Sequence, residues 1–99
     1  MSFVTAQTES LTAAAGALRA VGSALAAQNA AAAAPTTGVI PAAADHVSIL
    51  TAAQFVAHGQ LYQQVSAQAM AIHEMFVNTL DFSSGSYAAT EAANATATS

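Results

Sequence analysis

The sequence predicts an all-α protein that folds as an antiparallel two-helix hairpin. Of its 99 residues, 29 are alanine and only 6% are charged, and its two prolines stand close together at positions 35 and 41. Alanine has the highest helix propensity of any residue, whereas proline interrupts helices. The proline-free stretches before and after this short segment are therefore expected to be helices, and Gly38 provides the flexibility that a chain reversal between them requires.

The first helix is expected to run from about Thr8 to Ala34. Within it Leu11, Leu18 and Leu25 are spaced by seven residues, which is the spacing of a narrow coiled-coil seam. Val21 lies between them and is assigned to the same seam. Small residues, Gly16 and Gly22 among them, would let another helix approach closely. A membrane span is the competing interpretation, but Arg19 and the pair Gln28–Asn29 interrupt the roughly 20 consecutive apolar residues that a span needs.

The second helix is expected from about Asp45, a favourable N-cap residue, to Leu80. Its larger apolar residues do not form a single stripe. One series contains Phe55, Tyr62 and Phe76, and an adjacent series contains Ile72. A helix that is apolar around much of its circumference must be covered on more than one side, so the hairpin is expected to be half of a larger assembly. Residues 81–99 are predicted to form a flexible tail.

Composition also excludes several classes of function. Arg19 is the only Lys or Arg, so the clustered positive charge of a nucleic-acid binder is missing. The chain has no cysteine, and His46, His58 and His73 lie in no spacing that suggests a metal site or a catalytic base. We expect no catalytic residue, no metal and no cofactor. The residues up to Glu9 do not have the basic and apolar regions of a secretory signal peptide, so we expect export to use another route.

Several segments together resemble the mycobacterial PE family, in the form of a short member that contains the PE domain alone. The segments are Met1–Val4, Thr8–Glu9, Gln28–Val39, Pro41–Asp45 and Tyr87–Glu91. The family is named after a Pro-Glu pair, and the matching pair here is Thr8–Glu9. Proline at the first helical position and threonine at an N-cap both suit a helix start, so this departure should have little structural effect.

The resemblance implies a non-enzymatic subunit. PE proteins pair 1:1 with PPE proteins, and the PE hairpin, here residues 1–80, completes a four-helix bundle with two PPE helices. Type VII secretion systems export such pairs to the outside or to the cell envelope after a transient cytoplasmic stage, with a cytosolic chaperone expected to contact the PPE partner. The export signal of the family, Tyr-x-x-x-Asp/Glu, maps onto Tyr87 and Glu91 in residues 81–99.

For the interface with the partner or with the sister helix we predict eight larger apolar residues. They are Leu11, Leu18, Val21, Leu25, Phe55, Tyr62, Ile72 and Phe76. The sequence leaves open which of them face the partner. It also leaves open an alternative function, in which the chain associates with itself in the envelope and contributes to outer-membrane permeability or nutrient passage. Membrane association after export is compatible with either function.

Overall fold

The computed structural model describes residues 6–99, so the segment Met1–Val4 that contributes to the family resemblance lies outside the described residues. Two helices account for nearly all of the described chain: α1, Thr8–Thr37, and α2, His46–Thr98. They pack side by side in opposite directions in a rod measuring 80 × 18 × 16 Å. The predicted all-α antiparallel hairpin is confirmed.

The first helix begins at Thr8 as predicted, but Thr8 is not its N-cap. Gln7 occupies that position and makes no side-chain capping hydrogen bond. Thr8 is therefore the first helical residue, the position at which a proline is also favoured. This placement explains how threonine can replace the proline of the family's Pro-Glu pair without changing where the helix starts.

At its other end α1 extends three residues beyond the predicted Ala34, through Pro35 to Thr37. Proline has no N–H to donate to the carbonyl four residues earlier, and its ring crowds that carbonyl, so Pro35 weakens the last turns of α1 without ending the helix at once. Two threonine hydroxyls and one backbone amide bind carbonyl groups of this turn. Thr36 Oγ1 donates to Ala32 O, Thr37 Oγ1 to Ala33 O and Gly38 N to Ala34 O, at 2.6–2.9 Å.

The second helix begins at the predicted cap. Asp45 Oδ1 accepts a hydrogen bond from the backbone N–H of Ser48 at 2.9 Å, and Oδ2 accepts one from the Ser48 hydroxyl at 3.0 Å. These two bonds, the backbone one first, hold the pKa of Asp45 below its ordinary value of 3.8. Residues 38–45, which we call the connector, join the two helices. The first turns of α2 lie beside it, and Val39 and Ile40 of the connector line a groove with Val47 and Phe55 of α2.

The predicted end of α2 at Leu80 is wrong: the helix continues without interruption to Thr98. The sequence after Leu80 contains no proline, and six of its last twelve residues are alanines. Alanine supports a helix without large apolar side chains. The scarcity of such side chains after Phe82, where Tyr87 is the remaining one, therefore does not end the helix. Contacts of Ser84 and Glu91 with the start of α1 hold this part in place.

Candidate interaction face and carboxyl-terminal motif

Small and polar side chains form the seam between the two helices. Among the described residues, the buried positions of α1 are Ala15, Gly22 and Asn29, and those of α2 are Ala52, Gly59, Val77 and Ser84. Within α1 the spacing is seven residues, as in a coiled coil. Since most of these side chains are short, the helices approach closely and leave little space between them for larger apolar residues.

Two glycines allow the closest approach. A Cβ atom at Gly59 would lie 2.5 Å from the backbone oxygen of Thr36, and one at Gly22 would lie 2.7 Å from Nε2 of His73. The imidazole of His73 occupies the space above Gly22, and its Nε2 lies 2.8 Å from Leu18 O. A carbonyl oxygen can only accept, so Nε2 carries the proton in this contact. The predicted packing role holds for Gly22, whereas Gly16 faces open space.

A polar cluster centred on Asn29 sets the alignment of the helices. Its Nδ2 donates to Ser66 Oγ at 2.9 Å, its Oδ1 accepts from the Tyr62 hydroxyl at 2.8 Å, and its backbone oxygen accepts from Gln63 Nε2 at 3.2 Å. A buried amide leaves unsatisfied groups if its partners move away. The cluster therefore favours one register of α1 against α2, as a buried asparagine does in coiled coils.

The hairpin has a charged flank, defined by Arg19 and Asp81, whose side chains form an ion pair at 3.1 Å. Phe76 lies five residues before Asp81, which is about 140° around α2. Val21 lies two residues after Arg19, which is about 160° around α1 on the shorter path. Both apolar residues consequently lie on the opposite flank of the hairpin, which we call the apolar flank.

Most of the eight predicted interface residues are not in the seam. Leu11 and Leu18 are half-buried between the helices. The other six are between 46% and 62% exposed within the hairpin: Val21, Leu25, Phe55, Tyr62, Ile72 and Phe76. Val21 thus lies outside the contact between α1 and α2, whose buried positions on α1 are Ala15, Gly22 and Asn29, and its place in an interface with a partner stays a prediction. The expectation that one sister helix cannot cover the apolar surface of α2 agrees with these exposures.

Near the connector the apolar flank is concave. Phe55 and Tyr62 of α2 form an open groove with Pro35 and Val39, and its volume is about 480 Å³. An exposed apolar surface that continues along both helices is uncommon on a protein that functions alone, and it typically marks a site of protein or membrane interaction.

The carboxyl-terminal motif lies at the far end of the rod. Tyr87 is 52% exposed, whereas Glu91 is half-buried and its Oε1 accepts a hydrogen bond from the backbone N–H of Ala6 at 3.1 Å. Because α2 is helical here, the two side chains lie four residues apart on one side of it. The motif thus belongs to the folded hairpin and not to a separate tail.

The small and polar seam is not among the features predicted from the sequence. Asn29 and Ser66 were not assigned to helix contacts, although Ser66 and His73 follow Gly59 at seven-residue intervals. A series of small and polar residues with this period could have indicated the seam. The larger apolar residues have the same seven-residue period and are more hydrophobic, so the sequence pattern predicted a contact on the other flank instead.

The three histidines do not form a site. His46 begins α2, His58 is exposed in its first quarter, and His73 is bound to Leu18 O. Over residues 6–99, no three His, Cys, Asp or Glu side chains are close enough to hold a metal ion. The helix α1 is long and apolar enough to cross a membrane when only length and composition are considered.

Comparison with known proteins identifies the family. A sequence model of the PE family matches residues 4–94. Over the full 99 residues the chain is 63% identical to the PE family protein PE13 of Mycobacterium tuberculosis strain H37Rv, covering all of both chains. It is 59% identical over 97 residues to PE8 of the same strain and 55% identical over 95 residues to its PE-PGRS family protein PE_PGRS8.

In the last two comparisons, 98% and 96% of this chain align with 35% and 54% of the relative. The chain therefore spans about a third of one relative and half of the other. The similarity to PE13 extends over the whole hairpin, and the match to the family model includes α1, the connector and α2 as far as residue 94, with the Tyr87–Glu91 motif. With the helical hairpin and this extent of matching sequence, the chain belongs to the PE family.

Proposed function

We propose that this chain is a non-enzymatic subunit of an exported heterodimer, which binds one PPE family protein through its apolar flank. The observation that carries the proposal is the exposure of six large apolar side chains on a hairpin whose own seam is already filled by small residues. Two antiparallel helices of a partner laid on this flank would complete a four-helix bundle and remove these side chains from water.

The groove formed by Phe55, Tyr62, Pro35 and Val39 supports the same proposal. It lies on the apolar flank at the connector end of the rod, where a larger side chain of a partner helix could insert between the two helices. The Tyr62 hydroxyl is already bound to Asn29, so only the apolar part of its ring remains for a partner.

The second part of the proposal is export. In the PE family a tyrosine followed four residues later by an acidic residue is read by type VII secretion machinery, and Tyr87 and Glu91 stand at the matching positions. The heterodimer would pass briefly through the cytoplasm, with a chaperone on the PPE subunit, and would then be secreted or retained in the cell envelope. Tyr87 is exposed enough for a receptor to contact its ring.

The partner interface is tested by the substitution Phe76→Asp, with Ala67→Asp as its matched control. Both add one carboxylate to α2, but Ala67 lies fourteen residues before Asp81 and hence on the charged flank. A charge buried without a partner costs several kcal/mol, so Phe76→Asp should abolish co-purification with the PPE protein while Ala67→Asp retains it. Equal retention by both variants would contradict the proposed interface.

The export signal is tested by Tyr87→Ala in a mycobacterial host with an active type VII system. The variant should form the heterodimer, because Tyr87 lies about 16 Å along α2 beyond Phe76, the last of the six exposed residues, but it should remain inside the cell. Immunoblots of culture filtrate and cell lysate measure the distribution. Normal export of Tyr87→Ala would contradict the assignment of the signal.

A self-associating envelope protein is the second candidate function, and the length and composition of α1 favour it, since this helix could cross a membrane. Under this alternative the apolar flank would meet lipid or further copies of the chain. Arg19 and Asn29 lie within α1 and would have to be accommodated there, which makes a span costly.

A further inference from the structure

The export motif continues the seam that joins the two helices. Tyr87 follows Ala52, Gly59, Ser66, His73 and Leu80 at seven-residue intervals, and Glu91 follows Val56, Gln63, Met70, Val77 and Ser84 at the same interval. Every residue of these two series before Tyr87 is buried or half-buried. The motif is thus placed where α2 faces the start of α1, and a receptor approaching Tyr87 also meets the end of the closed hairpin.

At this end Glu91 is attached to α1. Its Oε1 accepts a hydrogen bond from the N–H of Ala6, which directly precedes the N-cap residue Gln7. Gln7 supplies no side-chain cap, and the acidic residue of the first turn is Glu9, so Glu91 contributes here a hydrogen bond to the residue before the cap. About two turns away along α2, Thr12 Oγ1 donates to Ser84 Oγ at 3.2 Å and forms a second link between the helices.

We propose that Glu91 is a positioning residue, which clasps the start of α1 to the end of α2 so that Tyr87 is presented on a closed two-helix end. This inference rests on the proposed export function. It assigns different roles to the two residues of the motif: the machinery reads Tyr87, and Glu91 acts through Ala6. The feature that is recognised is then a folded end of the hairpin and not a linear four-residue spacing.

The distinguishing variants are Glu91→Ala and Glu91→Gln, with Glu74→Ala as control. Glutamine keeps a carbonyl oxygen that can accept the Ala6 N–H but carries no charge, whereas alanine removes the acceptor. Glu74 is exposed on the same helix, seventeen residues earlier. Each full-length variant is purified with its PPE partner, or alone if it folds alone, and amide hydrogen exchange is followed at Ala6 and along the first turn of α1.

Loss of a hydrogen bond of ordinary strength should accelerate exchange at these amides on the order of three- to tenfold in Glu91→Ala. Glu91→Gln and Glu74→Ala should exchange like the unaltered chain. Export should depend on the same hydrogen bond, so we expect Glu91→Gln to be exported and Glu91→Ala to be retained in the cell. Unchanged exchange in Glu91→Ala would overturn the clasp.

A separate result would contradict the positioning role of Glu91 while leaving its hydrogen bond to Ala6 in place. If Glu91→Gln shows unaltered exchange but is not exported, the machinery reads the negative charge directly, and a role through Ala6 is overturned. Failure of the proposed function appears differently, as absence of export for the unaltered chain. In that case the exchange rates of Glu91→Ala and Glu91→Gln still support or overturn the clasp.

Discussion

Single atoms decide which residues meet between the helices. At Gly59 the nearest neighbour of an added Cβ would be the backbone oxygen of Thr36, and at Gly22 it would be the His73 ring, whereas nothing lies within 4 Å of such an atom at Gly16. A backbone group can move away only if a helix moves with it, while a side chain can rotate. Replacing each of the three glycines by alanine is the same chemical change, but the space for the added Cβ decreases from Gly16 through Gly22 to Gly59.

We predict that Gly59→Ala destabilises the protein by about 1–3 kcal/mol, the usual cost of overpacking a filled site. Gly22→Ala should cost less, because the His73 ring can rotate away, although it then loses Leu18 O. Gly16→Ala should stabilise by up to about 1 kcal/mol through helix propensity. Thermal melting followed by circular dichroism measures the order. A Gly59→Ala variant that melts at or above the unaltered chain would contradict the close helix approach.

At the scale of the helices, the start and the end of α2 depend on different interactions. The start of α2 depends on the Asp45 carboxylate and two hydrogen bonds from Ser48, so a capping residue read from the sequence was a sufficient signal. The end of α2 depends on alanine-rich propensity together with contacts from Ser84 and Glu91 to the start of α1. Those contacts lie 72 and 85 residues apart in the chain, and no local pattern indicates them.

We predict that the start of α2 loosens in acid. Hydrogen bonds from Ser48 lower the pKa of Asp45 in the folded chain, so its stabilising contribution is present above the ordinary value of 3.8 and is lost as pH falls through the lowered pKa. The protection of the Ser48 amide, taken as its exchange rate relative to the intrinsic rate of an unstructured amide at each pH, should decrease in this window.

Two variants separate this titration from general acid unfolding. Asp45→Asn keeps a capping oxygen that does not titrate, so exchange at Ser48 should have no added pH dependence below 3.8. Asp45→Ala should exchange rapidly at all pH values. The same acid response in Asp45→Asn as in the unaltered chain would show that Asp45 is not its source.

At the scale of the whole molecule, the hairpin presents a charged flank on one side and an apolar flank on the other. The charged flank contains the Arg19–Asp81 pair, in which both side chains are about half exposed, so the pair adds little stability. The apolar flank opposite it is uncovered, and no large apolar side chain is fully buried among residues 6–99. We therefore expect the rod to have too little internal core for independent stability, and under the proposed function a PPE partner would supply the missing contacts.

We predict that the chain is soluble and fully helical only together with a PPE protein, because the free energy of binding then contributes to folding. Expression alone should produce aggregated or partly unfolded protein, while co-expression should produce a 1:1 complex. Size-exclusion chromatography and circular dichroism compare the two preparations. A helical, monodisperse oligomer of the chain alone would contradict the heterodimer and favour the self-associating alternative.

Local sequence signals were enough to predict the all-α class, the cap at Asp45 and the approximate position of the reversal, which lies between Thr37 and His46 rather than between the two prolines. These features depend on helix propensity, on the missing N–H of proline and on one side chain beside its own helix, which are all local effects. The length of the second helix was only partly determined, because its last five turns depend on alanine propensity and on distant contacts rather than on apolar periodicity.

Only the tertiary structure decided which flank of each helix faces the other. On α2 the series containing Gly59 and Ser66 and the series containing Tyr62 and Phe76 have the same seven-residue period, so periodicity could not distinguish them. The small residues face α1 because they permit a close backbone approach and satisfy the polar groups of Asn29. The aromatic residues are consequently left on the surface, where a partner can bury them.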